Sequence, residues 1–175
     1  LNTALQLPAQ LNAPVIAQVH GAAAGADLSL VLMADYVIAA EGTRFNLAYI
    51  NLGTSCDVGA SWALPRLVGL RKALDIALLG EAFTADDALR LGLINRIVPA
   101  AELDSATTTM AQRLAAGPTV AYGAMKRLMR ASMDRTLPEQ LAAEKDAFVH
   151  CAGTEDFRAG VEAFHQRQSA QFVGR

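Results

Sequence analysis

Two short segments hold the residues best able to do chemistry. The first is His20-Gly21-Ala22-Ala23-Ala24-Gly25-Ala26-Asp27, a run of small side chains between a β-branched stretch and an apolar one. With a strand before it and a helix after it, the first backbone N–H groups of that helix are unpaired, aligned and partly positive. Such amides hold an anion or a developing oxyanion, and Ala24, Gly25 and Ala26 are small enough to let a substrate oxygen approach. The same run also reads as a tight turn whose glycines serve backbone geometry alone. It is neither a phosphate loop nor a dinucleotide fingerprint, because no Gly-Lys-Ser/Thr follows and the glycine spacing differs.

The second segment is Leu52-Gly53-Thr54-Ser55-Cys56-Asp57-Val58-Gly59. Asp57 stands among small and apolar residues ahead of an expected helix. It reads either as an N-cap or as a carboxylate base or nucleophile beside the oxyanion loop. Tyr49, eight residues earlier, reads as a packed aromatic with a hydrogen-bonded hydroxyl. Trp62 reads as core, His20 as structural, and His150 and His165 as surface residues. Met125, Met129 and Met133 recur at helical spacing and read as core or interface filler. The two cysteines, Cys56 and Cys151, have no metal-ligand spacing and suggest no disulfide framework. A reducing, cytoplasmic compartment and no metal are the expectations.

The elements that must position these residues follow from periodicity and punctuation. Residues 1–14 read as a helix end and a connector stopped at Asn12-Ala13-Pro14. Val15–Val19, Tyr36–Ala39, the very short Arg44–Asn46 and Leu93–Val98 read as strands. Residues 20–27 form a small-residue loop before a helix over Leu28–Met33, and Gly53–Gly59 is a polar loop. Helices are predicted over Val58–Val68 and Arg71–Leu79, and again after Thr84, which with Asp87 has capping-box spacing. Past Pro99 the pattern is helical, over residues 102–115, 120–133, 139–151 and 156–168. Leu141, Phe148, Val161 and Phe164 lie on amphipathic faces. This is an α/β chain with a helical C-terminal region. It divides into residues 1–100 and 101–175, with too few strands of its own for a complete sheet.

Composition narrows the partners. The chain has 175 residues, 53% apolar and 18% charged, with a net charge of −2. A disordered chain would show the opposite balance. The shortage of charge suggests extra burial between subunits. No basic surplus argues for nucleic acid or an anionic membrane, and the longest nearly apolar run, Leu28–Ala34, is far short of the ~20 residues of a span.

From Ala13 to Leu28 the sequence APVIAQVHGAAAGADL resembles the central motif of the enoyl-CoA hydratase/isomerase (crotonase) family. The same register continues through Ala34-Asp35, Phe45, Leu52-Gly53, Leu64–Gly69, Ala88–Ile94 and Asp156–Phe164. The resemblance implies a crotonase-like fold of repeated β-β-α units with a helical C-terminal trimerisation region. It implies trimers, often paired into hexamers, and acyl-CoA thioester substrates handled without a metal or redox cofactor. Of the two backbone N–H groups that hold the thioester oxygen, one maps onto Ala26, just after Gly25. The other belongs to an N-terminal segment, roughly the first third of a complete member, that lies outside this chain.

The resemblance also locates the acid–base positions. A typical hydratase has two glutamates that hold and activate water, and their positions map onto Ser29 and Tyr49. Neither is a carboxylate. Asp57 compensates: the dienoyl-CoA isomerase, 4-chlorobenzoyl-CoA dehalogenase and 3-hydroxyisobutyryl-CoA hydrolase branches carry an aspartate at the matching place. The resemblance thus implies Asp57 as the catalytic group, Ala26 and Gly25 as the oxyanion loop, and Tyr49, Ser29 and Gly53 against substrate. An isomerase-like proton transfer is the favoured reaction. The alternatives are a catalytically silent acyl-CoA-binding or assembly subunit, or a CoA-thioester dehalogenase or hydrolase using Asp57 as nucleophile or base.

Overall fold

The computed structural model describes residues 7–175, of which 7–10 are helical. The first six residues of the expected leading helix lie outside the described ones. From Val15 the chain forms β1 (Ile16–Val19), β2 (Ala22–Ala24), α1 (Ala26–Met33), β3 (Tyr36–Ala40), β4 (Arg44–Asn46) and a 3₁₀ turn (Tyr49–Leu52). It continues through α2 (Ala60–Val68), α3 (Leu70–Leu79), β5 (Phe83–Thr84), α4 (Ala85–Arg90), β6 (Arg96–Val98), α5 (Leu103–Ala115), α6 (Thr119–Ala131), α7 (Leu137–Ala152) and α8 (Glu155–Gln166). The chain falls into two compact units, one containing Val15–Thr109 and the other formed by Ala9–Pro14 with Met110–Arg175.

The first unit repeats a strand–strand–helix pattern. The first strands of two successive repeats, β1 and β3, lie with β6 in a parallel sheet of order β1-β3-β6, and the second strands, β2 and β4, lie with β5 in a sheet of order β2-β4-β5. In that second sheet β2 and β4 are parallel, while β5 is antiparallel to β4. The central strand β3 is buried along Val37–Ala40 without alternation, as a parallel strand covered on both faces should be. Side chains add rungs where the ladders end. Asp35 Oδ2 accepts the Val15 N–H at 2.8 Å, and Asn95 Oδ1 accepts the Val37 N–H at 2.7 Å. Phe45, 1% exposed, stacks on Phe83 with centroids 5.8 Å apart and joins β4 to β5.

Three elements differ from their expected form. The small-residue run is not all loop: Ala22–Ala24 is a strand, and α1 begins at Ala26 rather than at Leu28. Alanines have little strand propensity, so pairing with β4 makes this strand. The strand expected from Leu93 is confined to Arg96–Val98, because Asn95 already bridges to Val37 at its start. The helix expected from Val58 starts at Ala60 behind a left-handed Gly59. The capping box of Thr84 and Asp87 is present at the head of α4, with both reciprocal bonds made.

In the second unit α6, α7 and α8 follow one another, and the capping box of Thr136 and Glu139 starts α7. Asn12 packs against Gly123 and accepts from Arg127 at 2.7 Å, while Lys126 donates to the Ala13 carbonyl. Asp156 is almost fully buried and accepts the Val173 and Gly174 N–H groups at 2.7 and 3.0 Å. That clamp holds the last residues onto α8. Met125, Met129 and Met133 are exposed, as are Phe148 and Phe164, so these stripes are not core of this chain. Cys56 and Cys151 are free thiols. Among the described residues no helix is long and apolar enough to cross a membrane.

Truncating Phe45 to alanine removes a ring that has almost no contact with solvent. Phe45→Ala should destabilise the protein by about 3–5 kcal/mol, read as a lower urea midpoint with unchanged slope.

Candidate active site

The head of α1 carries the first half of the site. Gly25, its N-cap, adopts φ 57° and ψ −118°, a conformation open in practice only to glycine. A Cβ there would meet nothing within 4 Å, so the requirement is conformational rather than spatial. The Gly25 N–H is bonded to the Asn46 carbonyl at 2.9 Å, which continues the β2–β4 pairing by one residue. Its carbonyl accepts the Ser29 N–H at 3.0 Å, the first bond of the helix. The Ala26 N–H, by contrast, has no acceptor among the described residues. Of the two residues expected at the oxyanion loop, Ala26 therefore offers an open amide. Gly25 does not, and it serves through its backbone angles.

The second half comes from the segment after β4. Asn46 turns the chain by accepting the Ala48 N–H on Oδ1 at 2.7 Å, and Ala48 takes a left-handed φ of 57°. The 3₁₀ turn follows and closes on Gly53, whose N–H donates to the Ile50 carbonyl at 3.0 Å. Gly53 thus ends the turn that holds Tyr49. The turn is docked from outside by Asn51, whose Nδ2 donates to the Gly80 carbonyl at 2.9 Å. Gly80 caps α3 with φ +61°, and a Cβ on it would lie 2.5 Å from Asn51 Oδ1 and 2.7 Å from Ile50 Cγ2.

These pieces bring Ser29, Tyr49 and Asp57 together. Ser29 is fully buried; its Oγ lies 3.1 Å from the Gly25 carbonyl and 3.1 Å from the Tyr49 phenol oxygen. The phenol donates a short hydrogen bond to Asp57 Oδ1. A phenol has one proton, and here it goes to the carboxylate, so Ser29 is the donor where it meets Tyr49; its own single hydroxyl proton is then spent there, and the Gly25 carbonyl keeps the Ser29 N–H at 3.0 Å. Burial first, and then the bond to Asp57 and its charge, raise the phenol above its ordinary value; Ser29 and the Asp57 backbone pull the other way.

Asp57 itself is exposed, and Oδ2 has no partner among the described residues. It does not cap α2, whose N-cap is Gly59; only its backbone carbonyl takes part, accepting the Ala60 N–H at 3.1 Å. The residue after it, Val58, is left-handed at φ 55°, an outlier for a β-branched side chain. His20, His150 and His165 are exposed, and Trp62 lies under the Arg66 guanidinium at 4.3 Å. Asn46, Asn51 and Gly80 were not legible as site residues in the sequence. Asn51 and Gly80 meet through one hydrogen bond between positions 29 residues apart, which no spacing announces, and Asn46 acts through a local turn bond to Ala48.

The enoyl-CoA hydratase/isomerase family matches residues 2–175. The chain belongs to that family. It is 41% identical to the probable enoyl-CoA hydratase of Rhodobacter capsulatus, over 93% of this chain and 63% of that protein. It is 38% identical to the 1,2-epoxyphenylacetyl-CoA isomerase of Escherichia coli, over 95% of this chain and 64% of that protein. The crystal structure of an enoyl-CoA hydratase from Polaromonas sp. JS666 superposes with a TM-score of 0.91 at 34% identity, covering 97% of this chain and 66% of that one. The chain thus spans a little under two thirds of the length of these curated relatives.

The dock at Gly80 makes the site sensitive to a residue outside it. Gly80→Ala adds left-handed strain and displaces Asn51, and should cost about 2–3 kcal/mol. Asn51→Ala removes the bond without the clash and should cost only about 1 kcal/mol. Urea unfolding of the two variants side by side checks the difference.

Proposed function

We propose that this chain carries the acid–base part of an acyl-CoA thioester site and moves a proton along the acyl chain, as an isomerase does. The observation that carries this reading is the direct 3.1 Å contact between Ser29 and Tyr49. The resemblance maps the two water-holding glutamates of a hydratase onto these positions. A water bridging two groups needs them about 5 Å apart, given hydrogen bonds of ~2.8 Å. Ser29 and Tyr49 leave no such seat.

In the proposed reaction Asp57 Oδ2 takes a proton from the α-carbon of a 3-enoyl thioester. The electron pair of that C–H bond moves into a dienolate whose oxygen rests on the Ala26 N–H. Asp57 then returns the proton at the γ-carbon, giving the 2-enoyl thioester with no gain or loss of atoms. The amide carries the developing charge, and removing such a donor typically costs ~2.7–4 kcal/mol of transition-state stabilisation. This chemistry requires neither a metal nor a redox cofactor. The silent-subunit alternative expects Asp57 to cap a helix; its free Oδ2 favours the catalytic reading instead.

The protein works in the cytoplasm on this reading, and the exposed apolar stripes of α6 and α8 support its assembly into a homotrimer or a pair of trimers. Sedimentation at micromolar concentration should then show no dominant monomer; a clean monomer counts against this assembly. For the chemistry, Asp57→Asn keeps the size and the acceptor for Tyr49 but cannot take the proton. It should lower the rate of solvent-deuterium incorporation into a 3-enoyl-CoA by ~10²-fold or more while thioester binding persists. Full exchange in Asp57→Asn would sink the assignment.

A further inference from the structure

We propose that Tyr49 is a positioning residue for Asp57, holding Oδ1 on its phenol so that Oδ2 alone is presented to the reacting carbon. The inference rests on the proton-transfer reading of Asp57 and assigns Tyr49 a task different from lining the substrate pocket.

An exposed aspartate on an irregular loop turns freely about both side-chain torsions. Asp57 has no helix to cap, and among the described residues the phenol is the one hydrogen-bond partner of its carboxylate. The orientation of the base therefore depends on Tyr49. Tyr49 is suited to that task because it is itself held from three sides. Its ring packs against the buried core, Ser29 donates to its oxygen, and its turn is docked through Asn51 onto Gly80. Ser29 is in turn anchored through its backbone, whose N–H donates to the Gly25 carbonyl at the head of α1 at 3.0 Å. The base and the open Ala26 amide thus share one string of contacts, Asp57–Tyr49–Ser29–Gly25, and their relative placement is fixed by hydrogen bonds rather than by loop stiffness.

Proton counting excludes the competing role in this arrangement. The single phenol proton is donated to Asp57 Oδ1, so Tyr49 cannot donate to a substrate oxygen at the same time. A wall needs only the ring, which Tyr49→Phe preserves. A misplacement of a reacting group by about 1 Å costs up to ~10²-fold in rate. Loss of the hydroxyl should therefore appear in turnover and not in binding.

The test uses the protein with 3-hexenoyl-CoA as the probe in D₂O, following deuterium incorporation and conversion to the 2-enoyl product. Tyr49→Phe should lower kcat by about 10-fold to 10²-fold with KM nearly unchanged. Ser29→Ala should give a smaller fall of the same kind. A second readout needs no turnover: phenolate absorbance against pH. Asp57→Asn should move the Tyr49 midpoint down, because it removes the carboxylate charge that raises it, and Tyr49→Phe identifies which of the tyrosine transitions belongs to it. Unchanged kcat in Tyr49→Phe, or a raised KM alone, with Asp57→Asn inactive, overturns the positioning role and leaves the reading of Asp57 standing. An Asp57→Asn variant that still exchanges, or a wild-type protein that never does, removes that reading and this proposal with it. A phenol midpoint that does not move in Asp57→Asn shows the contact is absent in solution and overturns the proposal whatever the activity.

Discussion

The parallel pairing of β2 with β4 is the constraint on which the site depends. Its register sets Ala24 against Asn46, and the next bond, from the Gly25 N–H to the Asn46 carbonyl, carries the pairing to the threshold of α1. In a parallel ladder both strands leave the last rung in the same direction. The helix head and the chain after β4 therefore depart side by side. Asn46 then turns its own chain with its side chain, so that three residues later Tyr49 meets Ser29 on the first turn of the helix. A slip of the register by one residue would send every side chain of β4 to the other face and break this meeting.

Strain accompanies that arrangement. Ala48 immediately before Tyr49 and Val58 immediately after Asp57 are both left-handed without being glycine. Each such residue costs on the order of 1–3 kcal/mol and persists only where its surroundings over-determine it. Here the surroundings are visible: Asn46 fixes Ala48 by a hydrogen bond, and Val58 is buried in the interior. The two residues bracket the stretch that carries both the phenol and the carboxylate. The local conformation is therefore imposed by the fold around it rather than chosen by the residues in it.

Much of this frame is legible in the sequence, and the gaps have physical reasons. The β-branched run before His20, the capping box at Thr84 and the polar loop around Gly53 declare themselves because local chemistry decides them. The strand at Ala22–Ala24 does not, since its alanines have no strand preference and their partner lies twenty-two residues on. The approach of Tyr49 to Asp57 does not either. Eight positions apart, they are joined through a 3₁₀ turn and the left-handed Gly53, and neither helical nor strand periodicity describes that path. Met125, Met129 and Met133 mark a face at helical spacing, but spacing alone does not distinguish an interior from an exposed surface.

The burial of Ser29 has an evolutionary consequence. A hydratase-like pair of carboxylates at positions 29 and 49 lies two substitutions away, and neither single step is neutral. A glutamate at 29 would bring a charge into a place with no exposure, next to the Gly25 carbonyl, which offers it no proton. A glutamate at 49 would set a second carboxylate against Asp57 where a donor now stands, and like charges at that range oppose each other's ionisation. Each intermediate loses what the present string provides before the new pair exists. Substitutions in the residues around this serine, tyrosine and aspartate meet neither of these two costs.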